Sequence, residues 1–316
     1  MRKPLLWLGS PVRVMVFAPL VAAAGLCLVL LVLAWRASNE LMHFGPSVYA
    51  WSLDDYPALS RVMEPLTIHS STGVTLVGRF FPGRSDATIV LSHGYGGNQD
   101  EMLPTANSLH EAGFTVVTYN ERGRGGSGGE GTWGALETDD LRSVIDAVVK
   151  HPHVNPDSIA EVGFSIGADI SIMEAAKDKR VKAVVAAGSW PTLWGYLHPR
   201  LIDVLLHPTS PYSPLSLWLM QRRTGVNLHS VRPVDAIGQI SPRPIFIVQG
   251  LDDTDVKPHS AIVNYDHAGP PRSLWMVQGA GHEDLAKPGG ALSSKRIAQF
   301  LIRALHVQVS GSAKRS

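Results

Sequence analysis

The residues best equipped for chemistry in this chain are Gly163-Phe164-Ser165-Ile166-Gly167, a G-x-S-x-G run. It lies between the strand-like Ser158-Ile159-Ala160-Glu161-Val162 and a helix-like stretch from Ala168 to Lys177. A serine on a tight strand-to-helix turn projects its hydroxyl away from the backbone, and the flanking glycines let strand and helix approach closely. Such a hydroxyl can attack a carbonyl carbon if a base and an oxyanion site lie near it. The pentapeptide alone equally describes a Gly-rich turn, so the rest of the chain has to supply the partners. Upstream, the apolar run Ala87 to Ser92 ends in His93-Gly94-Tyr95-Gly96-Gly97-Asn98. Downstream, Pro244 to Gly250 is followed by Leu251-Asp252-Asp253-Thr254-Asp255-Val256, and Ser273 to Val277 by Gln278-Gly279-Ala280-Gly281-His282-Glu283. Each motif sits just past the C-terminal end of a predicted strand, where ligands bind in open α/β sheets. His282 could take the serine proton and return it to a leaving group, and the glycines at 279 and 281 leave the chain free to aim its imidazole. Asp252, Asp253 and Asp255 compete as the acid. The backbone N–H of Ile166, at the start of the helix after the serine, is one oxyanion donor, helped by the helix dipole.

The order serine, acid, histidine, each past a strand, resembles the α/β-hydrolase superfamily, whose triad follows in that order. The resemblance runs from about Pro65 to about His306 and implies an α/β-hydrolase fold. That fold has a mostly parallel central sheet with helices on both faces, and a lid inserted after the strand that follows the nucleophile helix. Gly250 to Val256 reads G-x-x-D-x-x-V, which looks like the family's acid loop. The resemblance therefore implies a catalytic Ser165, Asp253 and His282, with Asp252 and Asp255 as turn-capping or solvated residues. It adds the backbone N–H of Tyr95 to that of Ile166 as the oxyanion hole, with His93 bracing the turn. The acid's task is to hold one imidazole tautomer and stabilise the imidazolium. Tyr119 to Gly128 is similar to a Gly-rich turn of the family and does not form a dinucleotide-binding unit. This chemistry requires no cofactor and no metal. Within the superfamily the chain resembles single-domain hydrolases related to prolyl oligopeptidase. The resemblance implies a carboxylic ester or thioester hydrolase acting through an acyl-enzyme on Ser165. A serine peptidase of the prolyl-oligopeptidase-like type is one alternative, and a catalytically inactive interaction module is another. Haloalkane dehalogenases and epoxide hydrolases are disfavoured, because they use an aspartate where Ser165 stands.

The elements that must position these groups follow from the pattern of the chain. Leu66–Ser70 and Thr75–Phe81 predict a hairpin with its turn at Ser71-Thr72-Gly73. Strands at Thr88–Ser92, Phe114–Tyr119, Ile159–Phe164 and Val181–Ala187 alternate with helices around Gln99–Ala112, Thr138–Lys150 and the stretch after Ser165. Near-continuous apolar strands alternating with helices argue for a parallel sheet covered on both faces. From about 189 to 240 the alternation stops, and this segment carries Trp190, Trp194, Tyr196, Tyr212 and Trp218. A loop this long inside a compact domain is usually a lid or binding cap, so Trp190, Trp194 and Trp218 are expected to bind substrate.

With 316 residues, 45% hydrophobic and 17% charged, the chain can bury one large core or two small ones. A net charge of +1 gives no reason to expect nucleic acid as a partner, and a single cysteine, Cys27, excludes a disulfide scaffold and a Cys-ligated metal site within the chain. Among the thirteen histidines no metal-ligand spacing stands out, and His151-Pro152-His153 reads as a solvated loop. The expected partner is a small-molecule or lipid-like ester. Val14 to Trp35 is a run of 22 residues without a charge. As a helix it spans about 33 Å, enough to cross the hydrocarbon core of a bilayer. Arg2, Lys3 and Arg13 precede it and Arg36 follows, which places residues 1–13 in the cytoplasm and the hydrolase domain on the non-cytoplasmic side. A cleaved signal peptide is the alternative, although its apolar region is usually about 7–15 residues long. The expected division is a transmembrane anchor over 14–35, a juxtamembrane connector over 36–64, the hydrolase domain over 65–306 and a flexible tail over 307–316.

Overall fold

Residues 11–43, 51–197 and 212–307 are described in the computed structural model of the chain. Arg2 and Lys3, most of the tail and residues 198–211 of the expected lid lie outside the described residues. The apolar runs pair into one eight-stranded sheet of order β1-β2-β4-β3-β5-β6-β7-β8. In chain order the strands are Glu64–His69 (β1), Thr75–Phe81 (β2), Thr88–Ser92 (β3), Thr115–Tyr119 (β4), Ile159–Phe164 (β5), Val181–Ala187 (β6), Ile245–Gly250 (β7) and Arg272–Val277 (β8). The opening hairpin is antiparallel, with Glu64 opposite Phe80 and His69 opposite Thr75, and β2 also runs antiparallel to β4. The remaining neighbours are parallel. Strands buried on both faces need continuous apolar sequence, and β3, β4, β5 and β7 are buried at every residue.

The α-helices, in chain order, are Pro11–Met42 (α1), Pro57–Val62 (α2), Leu103–Glu111 (α3), Glu137–Val148 (α4), Ile166–Lys177 (α5), Pro214–Thr224 (α6), Pro233–Ala236 (α7), Pro258–His267 (α8) and Lys295–Ala304 (α9). Residues 193–197 are helical as well. One face of the sheet packs on Val144 and Ile145 of α4 and Ile170 and Ile172 of α5; this core continues into Trp190, Leu217 and Met220 of the insertion. The other face packs on Leu103 and Leu109 of α3 and on Ile297 and Leu301 of α9. The sheet is thus sandwiched, and its strand ends carry the chemistry-bearing loops. The described parts of the segment from 189 to 240, residues 189–197 and 212–240, form short helices rather than an open loop. Ser213 starts α6 by accepting the Ser216 N–H at 3.1 Å, and Gly225, at φ 72°, ends it.

A buried acid interrupts the apolar pattern of β5. Glu161 lies against Glu174 of α5; burial and then the charge of Glu174 push its carboxyl well above the usual range. Glu174 is itself held at about 7, chiefly by burial, and accepts from Arg142 Nε at 3.3 Å. At neutral pH this like-charge pair tends to share a proton rather than ionise fully.

The amino-terminal helix does not stop where the uncharged run stops. It continues past Arg36 to Met42, into the stretch read as connector, and its last turns dock on the domain. Ala34, Ala37, Ser38, Leu41 and Met42 are buried. These positions follow the i, i+3, i+4, i+7 spacing of one helix face. The preceding turns expose Phe17, Leu20, Leu26 and Leu28. A stretch of 26 residues, Phe17–Met42, is long and apolar enough to cross a membrane.

Candidate active site

The G-x-S-x-G turn folds tightly because neither glycine has room for a side chain. A Cβ on Gly163 would lie 2.2 Å from the Gly167 carbonyl oxygen, and one on Gly167 would lie 2.4 Å from that of Ser92. Between them Ser165 adopts φ 55° and ψ −124°, which turns its side chain out of the line of β5. Its N–H donates to the Ala187 carbonyl at 2.7 Å, which ties the turn to the end of β6.

Two loops from distant parts of the chain converge on this hydroxyl. His282, after β8, places Nε2 2.9 Å from Ser165 Oγ and Nδ1 2.7 Å from Asp253 Oδ2. A carboxylate facing Nδ1 keeps the proton there, so Nε2 is left to accept from the serine. The imidazole lies against the Phe164 ring at a centroid distance of 4.9 Å. It also needs Gly188: a Cβ there would fall 2.9 Å from His282 Cε1. Burial lowers the His282 pKa, but the hydrogen bond and charge of Asp253 outweigh it and leave the group above its ordinary value.

Of the three aspartates after β7, Asp253 is the one placed against the histidine. Its Oδ1 accepts the N–H groups of Asp255 at 2.9 Å and Val256 at 2.8 Å. Its Oδ2 also accepts from Gln249 Nε2 at 2.8 Å, and the same amide donates to the Val256 carbonyl at 2.9 Å. Asp253 is buried, whereas Asp252 and Asp255 are exposed. Gln249 was not singled out from sequence, although a polar side chain ending an otherwise apolar strand is a readable signal.

On the opposite side lies the turn after β3. Glu101 Oε2 accepts the Gly94 N–H at 2.5 Å, and Gly97 N–H donates to the Gly94 carbonyl at 3.2 Å. His93 is locked as a brace: Nδ1 donates to the Gly94 carbonyl at 2.9 Å, and Nε2 accepts the Glu121 N–H at 3.1 Å. Burial lowers its pKa to about 3, so it stays neutral. Tyr95 and Ile166, the two oxyanion candidates, line one small cleft of about 10 Å³ with Glu121, Arg124, Trp133 and Glu137. Ile166 is the first residue of α5, so its N–H has no acceptor within the helix. The Tyr95 ring packs on Trp133 at 4.0 Å. Trp133 is buried and carried no signal in the sequence, since its role comes from a contact across the fold.

The expected lid residues part company. Trp190 is buried and stacks on Tyr196 at 4.4 Å. Both line a cavity of about 350 Å³ together with Thr254, Asp255 and Val256 of the acid loop. Neither Ser165 nor His282 is in that lining, so the cavity adjoins the acid side of the site rather than the nucleophile. Trp194 packs on His229 at 4.1 Å. Trp218 is 48% exposed on α6 with the Arg222 guanidinium over its ring at 5.4 Å. Among the described residues no group of three or more His, Cys, Asp or Glu side chains is placed to hold a metal ion.

Comparison with known proteins agrees with this topology. A family model described as alpha/beta hydrolase fold matches residues 87–206. An uncharacterized 31.7 kDa protein of Escherichia coli is 36% identical over 120 residues, and the match covers 37% of this chain and 42% of that relative. A polyketide transferase of Stachybotrys chlorohalonatus is 23% identical over 271 residues, covering 69% of this chain and 89% of the relative. Among solved structures, an esterase of Pyrococcus furiosus superposes with a TM-score of 0.67 at 23% identity, covering 84% of this chain and 99% of that one. A two-stranded antiparallel opening, a parallel remainder and a serine turned out between β5 and α5 belong to one architecture, and the chain has the α/β-hydrolase fold.

Proposed function

We propose that the chain is a membrane-anchored serine hydrolase that cleaves carboxylic ester or thioester bonds through an acyl-enzyme on Ser165. The observation that supports this reading most strongly is the continuous hydrogen-bonded line from Ser165 Oγ through His282 to a buried Asp253. In this mechanism Ser165 Oγ attacks the carbonyl carbon as its proton passes to His282 Nε2. The oxyanion is held by the N–H groups of Ile166 and Tyr95. Collapse breaks the bond to the alcohol or thiol, which takes the proton from His282, and the acyl group remains on Ser165. Water then gives its proton to His282 and attacks the acyl carbon; collapse breaks the bond to Ser165 Oγ, which takes that proton back from His282, and the acid leaves. Asp253 stabilises the imidazolium in both halves without being protonated. Trp190 and Tyr196 supply apolar surface for the substrate beside the acid loop. In this reading α1 crosses the bilayer with residues 1–13 in the cytoplasm and the domain on the other side.

A second reading is favoured by the relatives named polyketide transferases. The same acyl-enzyme discharged on an alcohol or amine instead of water would make the chain an acyltransferase. One experiment separates these readings: the full-length protein is treated with a fluorophosphonate and then assayed on acyl esters of increasing chain length, with peptide amides and an added alcohol acceptor alongside. Labelling at Ser165 with turnover of esters is expected. Peptide amides cleaved faster than esters would make it a peptidase, and a predominance of transesterified product would make it a transferase. A native chain that neither labels nor turns over would be an interaction module.

A further inference from the structure

We propose that the outer face of α6 is a membrane-docking surface, with Trp218 and Arg222 seated in the headgroup layer of the bilayer crossed by α1. The site would then draw amphiphilic acyl esters from the lipid phase. The substrate class rests on the hydrolase reading above and the docking on the membrane-anchor reading of α1, together with how α1 meets the domain.

No slack separates the exposed apolar part of α1 from the fold. Burial begins at Ala34, one residue before the uncharged run ends. Arg223 of α6 donates to Ser38 Oγ at 3.0 Å and to Asn39 Oδ1 at 3.2 Å, and its guanidinium lies 5.3 Å from the Trp35 ring. At the end of the helix, the Met42 carbonyl accepts the Gly131 N–H at 3.1 Å, and the Leu41 carbonyl accepts from Trp133 Nε1 at 3.2 Å. A helix held at four points fixes the orientation of the domain relative to whatever surrounds its exposed turns.

That orientation brings α6 to the interface. The uncharged run ends at Trp35 and Arg36, an aromatic and a basic residue of the kind that marks a membrane boundary. Trp35 is 52% exposed. Trp218 is five residues from Arg223, about 7.5 Å along the helix. Each headgroup layer is roughly 5–7 Å deep, so at any tilt of α6 Trp218 lies no more than about one such layer from the level of Arg223, which itself meets Trp35. A large aromatic left half-exposed, with a cation over its ring, suits that layer better than water: the ring sits among acyl-chain ends and the guanidinium meets lipid phosphate. The inner side of the same arrangement reaches the site. Leu41 holds Trp133, and Trp133 carries Tyr95 of the oxyanion turn.

The test uses the full-length chain in vesicles of phosphatidylcholine and phosphatidylglycerol. In a Cys27→Ala background, Trp218→Cys and Asp157→Cys are each labelled with an environment-sensitive fluorophore, and lipid-borne quenchers are added. Asp157 is an exposed position two residues before β5, away from the strand ends that hold the site. Strong quenching at 218 and little at 157 is expected; equal quenching at both would overturn the docking surface whether or not the chain is active. In the activity arm, Arg222→Glu should lower turnover of a vesicle-borne long-chain ester by roughly five- to tenfold, since it reverses one charge against an anionic surface. A water-soluble short-chain ester should be cleaved at the unchanged rate. Equal effects on both esters would overturn the claim that substrate arrives from lipid. Failure of the wild type on both esters, with quenching as expected, would count against the hydrolase reading and leave the surface standing.

Discussion

Ser165→Ala is expected to abolish ester turnover, with kcat falling by about 10⁴- to 10⁶-fold, while the protein stays folded. In the proposed mechanism Ser165 Oγ forms the covalent bond, and alanine offers no oxygen in its place. His282 Nε2 would face a methyl group, and water attacking directly would lose the alignment that the turn imposes on the side chain. What survives is stabilisation of the oxyanion by Ile166 and Tyr95, which is why a small residual rate over water is expected. The packing change is slight, because alanine differs from serine by one oxygen and keeps the same backbone. Circular dichroism should match the wild type, and hydrolysis of a p-nitrophenyl ester is the deciding measurement. A variant that keeps the wild-type kcat would remove Ser165 from the mechanism.

Asp253→Asn is the second large effect, a fall in kcat of about 10⁴-fold. The amide can keep both loop N–H groups on its oxygen. It must then point its NH₂ at His282 Nδ1, which moves the ring proton to Nε2 and leaves no base facing Ser165. The pH dependence adds an independent sign. In the wild type, burial lowers the imidazole pKa but the hydrogen bond and charge of Asp253 outweigh it and hold the group above its ordinary value. With the neutral imidazole as the proposed base, activity should fall as pH drops through this raised pKa. In Asp253→Asn the largest influence opposing burial is lost and only the charges of Asp255 and Glu283 remain against it, so the acid limb of the residual activity should move to lower pH. Asp255→Asn should change kcat little: that side chain is exposed and accepts from the Tyr196 hydroxyl at 3.4 Å. If Asp255→Asn is the variant that fails and Asp253→Asn works, the acid has been misassigned.

Much of the frame was legible because parallel strands leave a strong mark. Thr88–Ser92 and Ile159–Phe164 read as strands for the same reason that they are buried: covered on both faces, they tolerate almost no polar residue. The loops after them were legible because chemistry-bearing residues follow each run directly. Choosing among Asp252, Asp253 and Asp255 needed the family's pattern, since burial and the Gln249 contact come from the folded loop. The end of α1 was harder to read. Ala34, Ala37 and Ser38 are small and weakly apolar, so a docked face looked like a polar connector. Trp133 was out of reach, because its partners Leu41 and Tyr95 lie 92 and 38 positions away in sequence. Composition alone does not sort the aromatics of the insertion: Trp190 and Tyr196 line a cavity, whereas Trp194 packs on His229. Trp218 faces outward, on a surface whose meaning depends on where the helix beside it goes.

The backbone of Ser165 has one more implication, for how such a chain changes over generations. A residue with a side chain at φ 55° and ψ −124° occupies a conformation that costs on the order of 1–3 kcal/mol. Glycine would adopt the same angles with little strain, offset in part by its greater freedom in the unfolded chain. Selection for a durable fold and selection for a nucleophile therefore pull in opposite directions at this one position. A descendant relieved of catalysis would have a physical reason to drift toward Gly-Phe-Gly-Ile-Gly there, because a serine in that position has to be held against its own backbone.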